Sequence, residues 1–221
     1  MNVYFISGLG ADSRVFRNII LPEGNEIIHL DWIKPLKKES LASYASRLSE
    51  KIDTGKKFAL IGLSMGGMIA TEISKQLNER KIDEPTVTIL LSSVPSHNHF
   101  PAHFKMAGYL RLYNVVPISL LKKASILNRF FSTDTLEDKT LLKEVIGDSD
   151  PYFIKWALGA ILTWRNERLP KKCIHIHGSK DRILPIDKTQ PTHIIKNGRH
   201  LMLLERAGEL NAIIAEALAK V

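Results

Sequence analysis

The sequence predicts an α/β protein: a mostly parallel sheet of about six strands with helices on both faces. Short apolar runs rich in β-branched residues recur along the 221-residue chain, each followed by a turn and then a helical pattern. Runs that are apolar throughout, rather than alternating, suit strands of a parallel sheet buried on both sides. A third observation qualifies the first two. From Pro95 to Pro170 no strand pattern occurs, so a helical segment is inserted between two sheet strands.

In order, the strand runs are "VYFIS" from Val3, "EIIHL" from Glu26, "FALIG" from Phe58, "TVTILLS" from Thr86, "CIHIH" from Cys173 and "THIIK" from Thr192. The spacing between the first three leaves room for one helix each. Residues 40–52 supply one, with Leu41, Tyr44, Ala45, Leu48 and Ile52 on a single face. In the interruption, short amphipathic helices are broken by Pro101, Pro117, Gly147 and Pro151. Asp150 and Pro151 read as the N-cap and first turn of a helix that turns Phe153, Trp156, Ala157, Ala160, Ile161 and Trp164 inward. The chain closes on a helix with Leu210, Ile213, Ile214, Leu218 and Val221 on one stripe. This divides the molecule into a core, 1–94 and 171–221, and a helical insertion, 95–170.

Composition bounds the class. With 44% hydrophobic and 24% charged residues the chain is an ordinary globule long enough for one substantial core. One cysteine, Cys173, excludes an internal disulfide, and its apolar strand setting argues against a nucleophile. No stretch reaches the roughly 20 apolar residues of a membrane span. The N-terminus enters a strand pattern directly, so a cytoplasmic location is expected. The net charge of +8 is spread along the chain without a nucleic-acid motif, which reads as a solvated surface and no nucleic-acid partner. The sequence sets no oligomeric state.

The segment "GLSMG" carries the chemistry. It fits G-x-S-x-G with a strand before and a helix after, the turn that lifts a serine hydroxyl above a sheet edge. Ser64 is weak alone and needs a base oriented by an acid. After "CIHIH" the loop "GSKDRILP" brings in Asp181, and after "THIIK" the loop "NGRHLMLL" brings in His200. The other place an acid could enter, Ser92-Ser93-Val94-Pro95, offers no carboxylate. For a developing oxyanion the backbone N–H of Met65 is one donor, and that of Leu9, in "SGLGADSRVF", is the other. Asp12 or Ser13 in that loop reads as a helix cap.

Together the "GLSMGG" turn, the "HGSKD" loop, the "GRH" histidine and the "SGLG" loop resemble the α/β-hydrolase superfamily over nearly the whole chain. The resemblance implies acyl-transfer or ester-hydrolysis chemistry, no cofactor or metal, and a helical cap at 95–170. Two features depart from the family. Members often begin with two extra antiparallel strands, where this chain starts at the third. The residue before Gly8 is often histidine and here is Ser7. The expected substrate is a small or medium acyl ester or thioester. A lyase or C–C bond hydrolase with the same triad and a non-catalytic binder on the same scaffold are the alternatives.

Three further features weigh on that reading. "HNHFPAH" brings His97, His99 and His103 together, but no carboxylate lies nearby to support a metal; the cluster instead falls at the cap's start, near a pocket entrance. His175 and His177 alternate on a strand, and His177, at its end below the acid loop, reads as structural. From His97 to Phe131 the cap carries Lys105, Arg111, Lys122, Lys123 and Arg129 and no acid, interleaved with Phe100, Phe104, Tyr109, Tyr113, Phe130 and Phe131. Solvated cations on packed amphipathic helices are the first explanation, and attraction of an anionic substrate the second.

Overall fold

The computed structural model of the protein describes residues 1–115 and 135–221. Pro117, Lys122, Lys123, Arg129, Phe130 and Phe131, read above as parts of the cap, lie outside the described residues. Six strands form one sheet: β1 (Asn2–Ile6), β2 (Glu26–His29), β3 (Phe58–Leu63), β4 (Thr88–Leu91), β5 (Cys173–Gly178) and β6 (His193–Ile195). All neighbouring pairs are parallel, and the order is β2-β1-β3-β4-β5-β6.

Alternation along the strands sends side chains into two cores. Tyr4, Ile6, Phe58 and Leu60 pack against α1 (Leu41–Ser49) and α2 (Met65–Glu79). Val3, Phe5, Ala59, Ile61 and Leu63 pack on the opposite face, against α7 (Met202–Glu205) and α8 (Ala207–Ala219). Ser40 caps α1, accepting from the Ser43 amide, so the helix keeps the predicted face but stops before Ile52. On α8 the buried stripe is Leu210, Ile214, Ala217 and Leu218, while Val221 lies past the helix end and is exposed.

Between β4 and β5 the described residues form helices and no strand: α3 (Ala102–Tyr109), α4 (Leu136–Asp148) and α5 (Pro151–Thr163). Asp150 caps α5 as expected, its Oδ1 accepting from the Tyr152 amide, with Pro151 in the first turn. Buried Trp164 donates from Nε1 to Glu72 Oε1 of α2 at 2.8 Å, which joins this layer to the core. Arg14, within the short 3₁₀ turn Ser13–Phe16, and Arg17, just after it, reach across to Asp148 and to Glu137 and Asp138 of α4. A four-residue helix, α6 (Ile186–Thr189), follows β5. Among the described residues no helix is long and apolar enough to cross a membrane.

The strand order reverses at β1: the chain adds β2 on one side of it and then β3 on the other. Ile6 pairs with Gly62, so the loops leaving β1 and β3 part company at adjacent carboxyl ends, where an open α/β sheet forms its crevice. Backbone contact there is close. A Cβ on Gly66 would overlap the carbonyl oxygens of Ile6 and Ser7, and one on Gly62 would overlap the Gly66 carbonyl. Gly66→Ala is therefore expected to destabilise the fold by about 3 kcal/mol or more, and Gly208→Ala, with open space around it, by less than about 1. Chemical denaturation of the two variants reads the difference.

Candidate active site

Ser64 sits at the junction of β3 and α2 with φ 51° and ψ −115°, a conformation that a non-glycine residue holds only under constraint. Its amide donates to the Leu91 carbonyl at 2.9 Å, and Ser93 Oγ donates to its carbonyl at 2.6 Å, so the strained residue is fixed at both ends. The side chain projects from the turn toward the loop that follows β6. There Ser64 Oγ lies 3.0 Å from His200 Nε2.

His200 Nδ1 in turn lies 2.7 Å from Asp181 Oδ2. The acid stands in the loop after β5, and its Oδ1 accepts from the amides of Ile183 at 2.8 Å and Leu184 at 3.0 Å. Its side chain has no exposed surface. Burial would raise such a carboxyl, but the charge of His200 and hydrogen bonds from His177 and His200 outweigh it and hold Asp181 below the usual carboxylate range. With Asp181 ionised, the His200 nitrogen facing it carries the proton, which leaves Nε2 free to accept from the serine hydroxyl.

The loop after β1 lies against Ser64: a Cβ on Gly8 would stand 3.3 Å from Ser64 Cβ. Two side chains clamp this loop, one of them, Trp32, not singled out from the sequence. Ser7 Oγ and Trp32 Nε1 both donate to the Ala11 carbonyl, at 2.9 and 2.8 Å. Ser7, standing where histidine is common, thus has a role in shaping the turn. Met65 opens α2, so its amide has no intrahelical acceptor and stays available beside Ser64. Asp12 caps the Ser13–Phe16 turn, as expected.

Over these groups lies a cavity of about 390 Å³. Ser64, His200, Gly8 and Leu9 form its floor, and Phe104, Leu142, Ile146, Ile154, Leu158 and Ile161 from α3, α4 and α5 its apolar walls. Among the described residues His103 and Arg182 are its other polar side chains, and no acid lines it. Of the histidine cluster only His103 reaches the cavity; His99 pairs with Ser96 Oγ at 2.8 Å and His97 lies 3.4 Å from Arg165. Among the described residues no three metal-ligating side chains converge. Burial pushes the Cys173 thiol up to about 12, which keeps it protonated.

Comparison with known proteins agrees in fold. A family model described as "Alpha/beta hydrolase family" matches residues 3–213. MenH from S. aureus superposes with a TM-score of 0.75 at 16% identity, covering 100% of this chain and 94% of the other. A thermophilic esterase from Thermogutta terrifontis gives 0.73 at 15% identity, covering 100% and 90%. A lipase-esterase related protein from Clostridium acetobutylicum ATCC 824 gives 0.71 at 16%, covering 97% and 93%. No curated protein matches by sequence.

The geometry separates the two acids near this loop. Asp187 lies in the first turn of α6, exposed and 3.7 Å from Lys188. Asp181→Asn is expected to slow phosphonylation of Ser64 by a fluorophosphonate roughly a hundredfold or more, and Asp187→Asn by less than about twofold. Greater sensitivity at Asp187 would reassign the acid.

Proposed function

The chain belongs to the alpha/beta hydrolase family, and we propose that it is a serine hydrolase cleaving small or medium carboxylic esters or thioesters through an acyl-enzyme. One observation carries the reading: the continuous path Ser64 Oγ–His200–Asp181 on the floor of an apolar cavity. Ser64 attacks the substrate carbonyl while its proton passes to His200 Nε2. Asp181 stabilises the imidazolium and keeps the ring in place. The amides of Leu9 and Met65 receive the oxyanion. His200 then protonates the departing alcohol or thiol, and repeats both roles for the water that releases the acid.

The helices at 95–170 act as the cap in this reading. Their apolar walls favour the substrate's hydrocarbon part and keep bulk water from the acyl-enzyme, which strengthens every charge interaction beneath. One of the similar structures is that of a thermophilic esterase, which fits an ester substrate.

An anionic substrate is favoured by one side chain. Arg182 lines the cavity, and among the described residues its guanidinium has no hydrogen bond or ion pair. It lies next to the acid in sequence, yet among the described residues the cavity wall holds no carboxylate. A substrate carboxylate or phosphate at the cavity mouth would give it a partner.

Ser64→Ala is expected to keep the fold and lose on the order of 10³-fold or more in hydrolysis of an activated ester. Product analysis accompanies it: acid plus alcohol or thiol supports hydrolysis, whereas carbon–carbon cleavage products support the lyase alternative. Retained activity in the alanine variant would end the serine mechanism.

For the anionic preference, kcat/KM for an anionic ester should fall roughly threefold between low and high salt while a neutral ester of equal length stays level. Arg182→Gln should lower the anionic-to-neutral ratio and flatten that salt response. Equal salt responses for both esters would mean Arg182 is only solvated.

A further inference from the structure

Strand β5 brings more to the site than the acid's loop. His175 and His177 lie two residues apart and so face the same side of the sheet. His177 is fully buried and His175 nearly so. His177 Nε2 lies 2.7 Å from the Leu184 carbonyl oxygen and 3.2 Å from Asp181 Oδ2. Both of those atoms are acceptors, so Nε2 carries the proton and shares it between them. Nδ1 is then a bare acceptor, and His175 Nε2, 3.1 Å away, donates to it. Burial and the adjoining His177 push His175 down to about 3, so that ring is neutral.

A carboxylate offers about four acceptor positions. On Asp181 two are taken on Oδ1 by the Ile183 and Leu184 amides, and two on Oδ2 by His200 Nδ1 and His177 Nε2. The two histidines approach the same oxygen from different strand ends, so the carboxylate cannot turn away from His200 without losing His177. Each donor also withdraws charge from the oxygen that faces the imidazole.

The geometry points to His177 as a positioning residue, one that fixes the Asp181 carboxylate toward His200 and tempers the negative charge that Oδ2 presents to it. This rests on the Ser64–His200–Asp181 reading above. The titratable groups facing His177 are His175 on its own strand and Asp181 in the loop, with His200 beyond Asp181 and His99 acting on His175. Without the second donor, Oδ2 gives its full charge to His200. The imidazolium then persists to higher pH, and the base form needed for attack appears later.

The test is the pH dependence of kcat/KM on a neutral activated ester for wild type, His177→Leu and His177→Gln. Leucine fills the site without a donor; the glutamine amide reaches the Nε2 position and keeps one. The acid limb should move up by about half a pH unit or more in His177→Leu and return most of the way in His177→Gln. A folded leucine variant whose acid limb stays at the wild-type position would overturn the proposal and leave His177 a packing residue. Should the leucine variant not fold, the wild-type protein labelled with ¹⁵N-histidine gives the answer. Its long-range ¹H–¹⁵N spectrum should show His177 as the Nε2–H tautomer, with signals that move at the midpoint of the His200 titration. An Nδ1–H tautomer, or signals flat through that titration, would overturn the proposal equally. The spectrum needs no turnover, so its result stands apart from any failure of Ser64 to hydrolyse esters.

Discussion

The backbone contact between the start of α2 and the end of β1 sets the terms for everything above the sheet. Gly66 lies against the Ile6 and Ser7 carbonyls with no room for a side chain. That closeness forces the chain from strand to helix within one residue, and Ser64 absorbs the strain at φ 51°. The same contact places the β1 loop beside the serine hydroxyl, since Gly8 and Ser64 share the narrow gap between the two strand ends. Cross-links from Ser7 and Trp32 to the Ala11 carbonyl then keep the loop's shape. The hydroxyl and the nearby amides are therefore preorganised by one packing constraint.

A second constraint acts from the other side. An ionised carboxylate without solvent is costly unless donors replace its water. Asp181 meets that requirement with two amides and two histidines. Its placement after β5, and that of His200 after β6, follow from sheet order, because successive strand ends bring their loops toward the β3 elbow in turn. The helices between β4 and β5 complete the enclosure. Arg14 and Arg17 tie α4 to the segment after β1, so one end of the cavity wall is anchored beside the loop that carries Leu9.

Much of this was legible in the sequence because the signals are local. Six strand runs, the Asp150 cap and the strand–glycine–helix pattern around Ser64 all write their structure within a few residues. Asp181 and His200 could be read from chain order, and their meeting at 2.7 Å is a consequence of parallel strands with a shared direction. What the sequence hid depends on distant partners. Trp32 reaches Ala11 across 21 residues and Trp164 reaches Glu72 across 92, and no periodicity announces either. His177 was read as structural from its place at the strand's end; the spacing to Asp181, four residues on, was the signal that it could also hold the acid. Arg182 was passed over because a lone cation in a turn has no pattern. The cationic cap residues Lys122, Lys123 and Arg129 lie outside the described residues, so Arg182 is where the case for an anionic substrate now rests.

The central claim is that Ser64, activated by His200 and Asp181, forms a covalent bond to the acyl carbon. Intact-mass measurement of the protein after brief exposure to an activated ester, quenched in acid, tests it most directly. The account predicts one acyl group per chain, mapped to the peptide that holds Ser64 and absent from Ser64→Ala. Turnover of the ester with no adduct on rapid quenching, or an adduct on any other residue, would contradict it.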